Sequence, residues 1–147
     1  MVHYPFKLIV FLLSLFVMGS CTLETSDNGD LDGYWKLCSV DTLATGGSCD
    51  FTDKSTFWSV QHHLLTVRDN SDPLAEYIFR FDLTKDSLHL YEAKQYIKDT
   101  GDTLVTNPRV IAPFGVNAVD VTFHIDQLSS RYMQLTNKNY HLRFKKF

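Results

Sequence analysis

The chain has little proline, glycine or cysteine, and it has no excess of positive charge. Its 147 residues include four Pro, seven Gly and three Cys, and 14 Lys and Arg stand against 17 Asp and Glu. The weakly negative balance excludes a basic nucleic-acid binder. The hydrophobic share of 44% excludes a disordered chain. The 11 Phe, seven Tyr and two Trp instead favour a single strand-rich domain, because aromatic side chains suit a half-buried pleated surface.

A short apolar run opens the chain. It covers residues 8–18, is interrupted only by Ser14 and follows the positive charge of Lys7. The run is too short to span a bilayer, and a charged residue followed by such a run is typical of a signal peptide. Residues 1–20 are therefore predicted to be a targeting segment.

The segment ends in small residues before a cysteine, Gly19-Ser20-Cys21. This junction resembles the lipobox of bacterial lipoproteins, with Met18 at the position where that family prefers Leu. The resemblance implies cleavage before Cys21, a diacylglycerol on its thiol and palmitate among the attached acyl chains. An ordinary secretory signal that happens to end at a cysteine is the alternative.

Residues 21–32 are acidic and contain no basic residue. Their charged side chains are Glu24, Asp27, Asp30 and Asp32. Like charges extend a solvated chain, so this segment is predicted to be a flexible tether. In related envelopes an Asp after the lipidated cysteine directs retention in the inner membrane, so Thr22 implies the outer membrane. The expected location is thus the bacterial cell envelope, with the chain held by its lipid.

From residue 33 onward, apolar and polar residues alternate with a period of two. The alternation predicts strands over 33–41, 57–69, 76–83, 87–93, 119–126, 131–135 and 140–147. Turn residues at 84–86 and 136–139 predict two hairpins. Proline and glycine interrupt residues 98–118, where one or two irregular strands are expected. About eight strands joined by short turns predict an all-β, antiparallel, up-and-down barrel.

Two positions in this barrel carry a family resemblance. Gly33-Tyr34-Trp35 opens the first strand, and Arg143 lies on the last. The chain therefore resembles lipocalins and other calycins, and its C-terminal end resembles uncharacterised lipocalin-like lipoproteins of Bacteroidetes. The resemblance implies a lipocalin-like domain over 33–147 in which Trp35 plugs one barrel end and Arg143 stacks on it. The alternatives are that Trp35 is an ordinary core residue and that Arg143, opposite Leu142 by alternation, is solvated.

The two cysteines that remain after Cys21 form an even pair. An exported protein meets an oxidising compartment, and Gly46-Gly47-Ser48 lets the loop with Cys49 fold back toward Cys38. A Cys38–Cys49 disulfide is therefore predicted. The alternative is a buried free Cys38 with an exposed free Cys49.

Catalytic motifs and phosphate-binding glycine loops are absent from the sequence. His62 and His63 are neighbours on a predicted strand, so they point to opposite faces and cannot hold one metal ion together. A site of His89, His124 and His141 is outweighed by ordinary hydrogen-bonded histidines. The expectation is a protein that is not an enzyme and that has no metal or cofactor.

Two functions fit a lipid-anchored barrel. The first is binding of a small hydrophobic molecule inside the barrel, with a tyrosine hydroxyl orienting it. The inward residues predicted to line this site are Tyr77, Phe79, Phe81, Leu88, Leu90, Val121, Phe123 and Leu142. The second is a solidly packed barrel whose surface engages another protein or a glycan. How fully the interior is filled distinguishes the two.

The lipobox resemblance makes Cys21 testable. A Cys21→Ala chain is expected to lose fatty-acid labelling and its attachment to the membrane, because the lipid needs the Cys21 thiol. Labelling with an alkyne fatty acid, followed by membrane fractionation, measures both effects. Cys49→Ala is the matched control and keeps the label; equal labelling of the two variants would contradict lipidation at Cys21.

Overall fold

A computed structural model describes residues 26–147, so the targeting segment and Cys21 lie outside the described residues. The strands are β1 (Gly33–Thr42), β2 (Gly47–Asp50), β3 (Thr56–Gln61), β4 (Leu64–Asp69), β5 (Asp72–Leu83), β6 (Ser87–Gln95), β7 (Thr103–Leu104), β8 (Val121–Leu128), β9 (Tyr132–Thr136) and β10 (Tyr140–Lys146). Three short 3-10 helices cover Gly29–Leu31, Pro108–Val110 and Ala112–Phe114. Over residues 26–147, none of the helices has the length and apolar character needed to cross a bilayer.

Eight of the strands close into a barrel. They follow the order β1-β3-β4-β5-β6-β8-β9-β10, and β10 pairs back onto β1. Every pairing is antiparallel, and closure leaves these eight strands without a free edge. The short β2 pairs with the end of β1, and β7 pairs with the end of β6. The predicted all-β lipocalin-like barrel of about eight strands is confirmed.

The predicted long strand over 57–69 is two strands, β3 and β4, separated by His62 and His63. His62 adopts a left-handed backbone conformation with φ of 54°. Asn28 supports the turn, since its Nδ2 donates to the His62 carbonyl at 2.6 Å. The turn contains no Gly, Pro or Asn, which is why alternation alone runs through it. The prediction that these histidines lie on a strand is therefore wrong.

Of the one or two irregular strands expected over 98–118, the structure has one, the short β7, and it is followed by two 3-10 helices. β6 pairs with β8 only over Ser87–Leu90, and its end pairs with β7 instead. Residues 105–116, called here the inner segment, follow β7 and pack into the core between the end of β6 and the start of β8. Ile111 and Val116 are fully buried, and Phe114 is 3% exposed.

The predicted tether is folded over its last residues. Ser26 and Asn28 both donate hydrogen bonds to the Asp32 carboxylate, at 3.0 and 2.8 Å. Leu31 is fully buried against the core. The folded domain therefore begins before Gly33, because burial of Leu31 orders the acidic residues around it.

The inner segment passes close to β10 at Gly115, which has a φ of 83°. A Cβ at this position would lie 2.8 Å from Leu142 Cδ2. Gly115→Ala is expected to lower the free energy of unfolding by about 1 to 3 kcal/mol through overpacking, in addition to backbone strain. Urea denaturation measures the change.

Gly46→Ala is the control for this variant, because Gly46 has a φ of 68° and a Cβ there would have no atom within 4 Å. It reports the backbone strain alone. Equal destabilisation of the two variants would contradict the close approach of the inner segment to Leu142.

Candidate functional site

The barrel interior contains the residues that the sequence predicts for a ligand site. Seven of the eight are buried there because each lies on the inward side of its strand, whereas Val121 is half-buried. The seven are Tyr77, Phe79, Phe81, Leu88, Leu90, Phe123 and Leu142. The structure therefore brings the predicted set together in one core.

Other interior residues were missed by the sequence reasoning. On the strands these are Trp58, Leu65, Val67, Met133, Leu135 and Phe144, all at most 2% exposed. Ile111, Phe114 and Val116 come from the inner segment. A sequence signal for these three residues exists: the apolar run Val110-Ile111-Ala112 is followed by Phe114 and Val116. Proline and glycine in the same region are typical of an exposed loop, which hides this signal.

The inner segment packs against strand residues of the core. The rings of Tyr77 and Phe114 contact edge to face, with centroids 5.6 Å apart. Trp58 lies 4.8 Å from Phe144 and 6.0 Å from Phe123, and its Nε1 donates to the Phe114 carbonyl at 3.0 Å. The chain's own side chains therefore occupy interior space that a ligand would need.

Tyr77 brings a polar group to the edge of this apolar interior, near Asp72 at the start of β5. Its side chain is 7% exposed. Burial raises the pKa of Tyr77 above its ordinary value, and the nearby carboxylate of Asp72 adds to the effect. The hydroxyl therefore stays protonated at neutral pH and is able to donate a hydrogen bond.

The cation at the barrel end is Lys146 rather than the predicted Arg143. Lys146 is the register partner of Trp35, and its Nζ lies 4.7 Å from the Trp35 ring centroid. The same Nζ donates to the Asp30 carbonyl at 2.9 Å. Gly33 leaves room for it, because its φ is 123° and a Cβ there would lie 3.1 Å from Lys146 Cε. The buried Trp35 is thus covered by a lysine.

Arg143 lies on the outer face of the barrel. It is the register partner of Ser39, beyond a bulge in β1, and it donates to the Ser39 hydroxyl at 3.2 Å. Its Nη1 also lies 2.9 Å from the Asp41 carboxylate. A hydrogen bond from Ser48 and the charge of Arg143 hold the pKa of Asp41 below its ordinary value. The predicted Arg143 and Trp35 pair is therefore corrected: alternation, the competing interpretation, was the better guide.

The three strand histidines contact carboxylates. His89 Nε2 lies 2.9 Å from Asp120, and His141 lies between Asp41 and Asp126, at 3.5 and 3.9 Å. His124 is 3.8 Å from Asp126. Over residues 26–147, His, Cys, Asp and Glu form no group of three or more able to hold a metal ion.

The predicted disulfide is corrected, because Cys38 and Cys49 are both free thiols. Cys49 is the register partner of Val40, so it is displaced along the ladder from Cys38. The Cys38 thiol contacts the Lys36 carbonyl at 3.6 Å, and Cys49 Sγ lies 3.6 Å from Lys54 Nζ.

The contact between Trp35 and Lys146 predicts a measurable coupling. A double-mutant cycle with Trp35→Phe and Lys146→Met is expected to give about 0.5 to 2 kcal/mol, the range of a cation over an aromatic face. The same cycle with Arg143→Met is the control and is expected to give a value near zero. A larger coupling for Arg143 than for Lys146 would contradict the register described above. Urea denaturation measures each variant.

Comparisons with known proteins agree with the barrel architecture. A family model described as a lipocalin-like domain matches residues 14–147. A crystal structure of a lipocalin-like protein from Bacteroides uniformis is similar, with a TM-score of 0.61, 21% identity and coverage of 81% of this chain and 100% of the other. An uncharacterised protein from Bacteroides eggerthii has a TM-score of 0.55 and 15% identity, covering 80% of this chain and 99% of its own. No curated protein matches the sequence. With nearly its whole length matched by the family model, the chain belongs to the lipocalin-like domain family.

Proposed function

We propose that this protein is a lipoprotein of the bacterial outer membrane, anchored through Cys21, whose barrel binds a small hydrophobic molecule in place of its inner segment. The observation that carries the ligand site is that residues outside the sheet fill part of the barrel core. Ile111, Phe114 and Val116 are buried there, yet they belong to a connection and not to the wall. The wall can therefore stay intact while its contents change.

The short pairing of β6 with β8 supports a route by which the inner segment leaves the barrel. β6 and β8 share only four register pairs, Ser87–Leu90 with Val121–His124. Beyond Leu90 the end of β6 pairs with β7, so the connection leaves the wall on this side. Movement of the inner segment outward through this side exposes an apolar space without breaking the pairing of the eight strands.

The closed state and the liganded state compete for the same apolar surface. Burial of each of the three inner-segment side chains contributes about 1.5 to 3 kcal/mol to the closed state. A ligand has to offset this loss, so its apparent affinity falls by the fraction of molecules that are open. Such a ligand is apolar over most of its length, and the Tyr77 hydroxyl is the polar group available to orient it.

Family membership and sequence support the remaining parts of the proposal. Lipocalin-like proteins are generally binding proteins rather than enzymes. The Gly19-Ser20-Cys21 junction supports the lipid anchor. The weakly negative net charge argues against binding of nucleic acid.

A second function is favoured by the same filled interior. If the inner segment never leaves, the barrel is a packed scaffold in the envelope and acts through its surface on another protein or a glycan. The close fit of Gly115 against Leu142 favours this alternative, because it makes displacement costly.

Phe114→Ala separates the two functions. Truncation of a buried Phe destabilises the closed position of the inner segment by about 3 to 5 kcal/mol. The open fraction then rises, and the apparent affinity for a fatty acid or an apolar fluorescent dye is expected to rise about tenfold or more. Fluorescence titration with displacement by a second ligand measures this affinity.

Phe51→Ala is the matched control, because Phe51 is also a buried Phe but lies on the loop between β2 and β3. It lowers stability through a residue outside the inner segment, so its affinity is expected to stay near that of the unchanged protein. Absence of saturable binding in all three proteins would contradict the ligand site and favour the surface function.

A further inference from the structure

A row of cationic and aromatic residues crosses the outside of the barrel. Register pairs connect Arg68 to Phe57, Phe57 to Lys36, Lys36 to Lys145 and Lys145 to Tyr132. Directly paired residues of antiparallel strands share one face. The five residues, called here the outer row, therefore lie side by side across β4, β3, β1, β10 and β9.

The aromatic part of this surface extends beyond the row. Tyr34 stacks on Phe57 with ring centroids 4.7 Å apart, and Phe147 contacts both rings edge to face, at 5.9 and 5.5 Å. Phe147 is nevertheless 83% exposed, and Tyr132 is 49% exposed. Large aromatic side chains thus remain in solvent next to the cations.

The two lysines of the row have no ion-pair partner within residues 26–147, whereas Arg68 is the register partner of Glu76. Lys36 and Lys145 are direct register partners, an arrangement in which like charges repel. Lys36 donates to the Thr52 carbonyl at 2.7 Å, which leaves its charge unbalanced. An external anion would relieve the repulsion.

A groove runs beside the two lysines. It has a volume of about 480 Å³ and is lined by Lys36, Cys38, Thr52, Lys145, Lys146 and Phe147. Its composition joins apolar side chains with ammonium groups, which suits a molecule that has both an apolar part and an anionic part.

The described chain also begins near this surface. Ser26 and Tyr34 line the same surface depression, of about 430 Å³. Ser26 follows Cys21 by only five positions, and five extended residues span at most about 18 Å. A lipid on Cys21 therefore holds this side of the barrel within reach of the bilayer.

We propose that the outer row docks on the anionic surface of the membrane that holds the lipid anchor. Lys36 and Lys145 would contact phospholipid phosphates, and Phe147 and Tyr132 would enter the interfacial region, where aromatic and basic residues are favoured. This inference rests on the lipid anchor of the proposed function and adds a defined orientation to it. Asp32 lines the same depression as Tyr34 and repels an anionic surface, so docking relies on the attraction of the lysines, which salt weakens by screening.

The two native thiols allow a direct test. Cys38 lines the groove, whereas Cys49 is exposed outside it. The mature acylated protein is reconstituted into vesicles of phosphatidylcholine, with or without phosphatidylglycerol. Maleimide alkylation of each cysteine is then followed by mass spectrometry. Phosphatidylglycerol is expected to slow alkylation of Cys38 relative to Cys49 by about fivefold or more, and high salt is expected to reverse the effect.

Two variants with the same change in net charge make the test specific. Lys36→Gln with Lys145→Gln is expected to abolish the protection, whereas Lys85→Gln with Lys138→Gln, in turns outside the row, is expected to keep it. Phe147→Ser, at an exposed position, is a second variant that weakens docking without a change in charge. Circular dichroism verifies that each variant is folded.

The outcomes separate docking from anchoring. If mass spectrometry finds the lipid on Cys21 but phosphatidylglycerol does not change the rate of Cys38 alkylation, docking is contradicted and the anchor is not. Equal protection of Cys38 in the two double-lysine variants would also contradict docking. Absence of lipid on Cys21 would contradict the anchor and, with it, the docking. Protection of Cys38 by a soluble anionic polysaccharide, with none from phosphatidylglycerol, would assign the row to a glycan and overturn the proposal.

Discussion

The two buried tryptophans impose the constraint on which the rest of this barrel depends. Trp35 and Trp58 are direct register partners on β1 and β3, and both are fully buried. Each indole N–H needs an acceptor, because a buried donor without one is costly. In a closed barrel the strand carbonyls are committed to neighbouring strands. The acceptors therefore come from outside the sheet, Leu31 for Trp35 at 2.8 Å and Phe114 for Trp58 at 3.0 Å. These two hydrogen bonds tie the N-terminal 3-10 helix and the inner segment to adjacent positions of the wall.

The arrangement at the barrel end follows from the register of β1 against β10. Alternation along β10 turns Leu142, Phe144 and Lys146 toward the core side, and the last of these lies opposite Trp35. A lysine is tolerated there because its stem is apolar, its ammonium group faces an aromatic ring and one donor reaches a carbonyl. The glycine of the Gly33-Tyr34-Trp35 motif has a physical role in this arrangement, since a side chain at that position would crowd the lysine stem.

The period-two pattern was sufficient for the fold class and for most of the inward residues, because alternation along a strand is a local property. It failed where the structure depends on contacts distant in sequence. The turn at His62 is held in part by Asn28, and the inner segment is held by Trp58, so neither is visible in a local window. Which cation covers the Trp35 ring depends on the register between β1 and β10. The sequence does not specify this register, so Arg143 was predicted where Lys146 lies. The tether boundary was misplaced because acidic residues around Leu31 concealed a buried anchor point.

The two proposed activities use different arcs of the barrel wall. The outer row occupies β4, β3, β1, β10 and β9, which are five consecutive strands of the closed ring. The weakly paired junction of β6 with β8 lies in the remaining arc, together with β5. If the row rests on the membrane, this junction turns away from the bilayer. The inner segment would then exchange with a ligand on the aqueous side, so membrane docking and ligand entry would not compete for the same surface. An apolar ligand would consequently be delivered from a carrier or from solution, because the side of the barrel that faces the lipid is its closed wall.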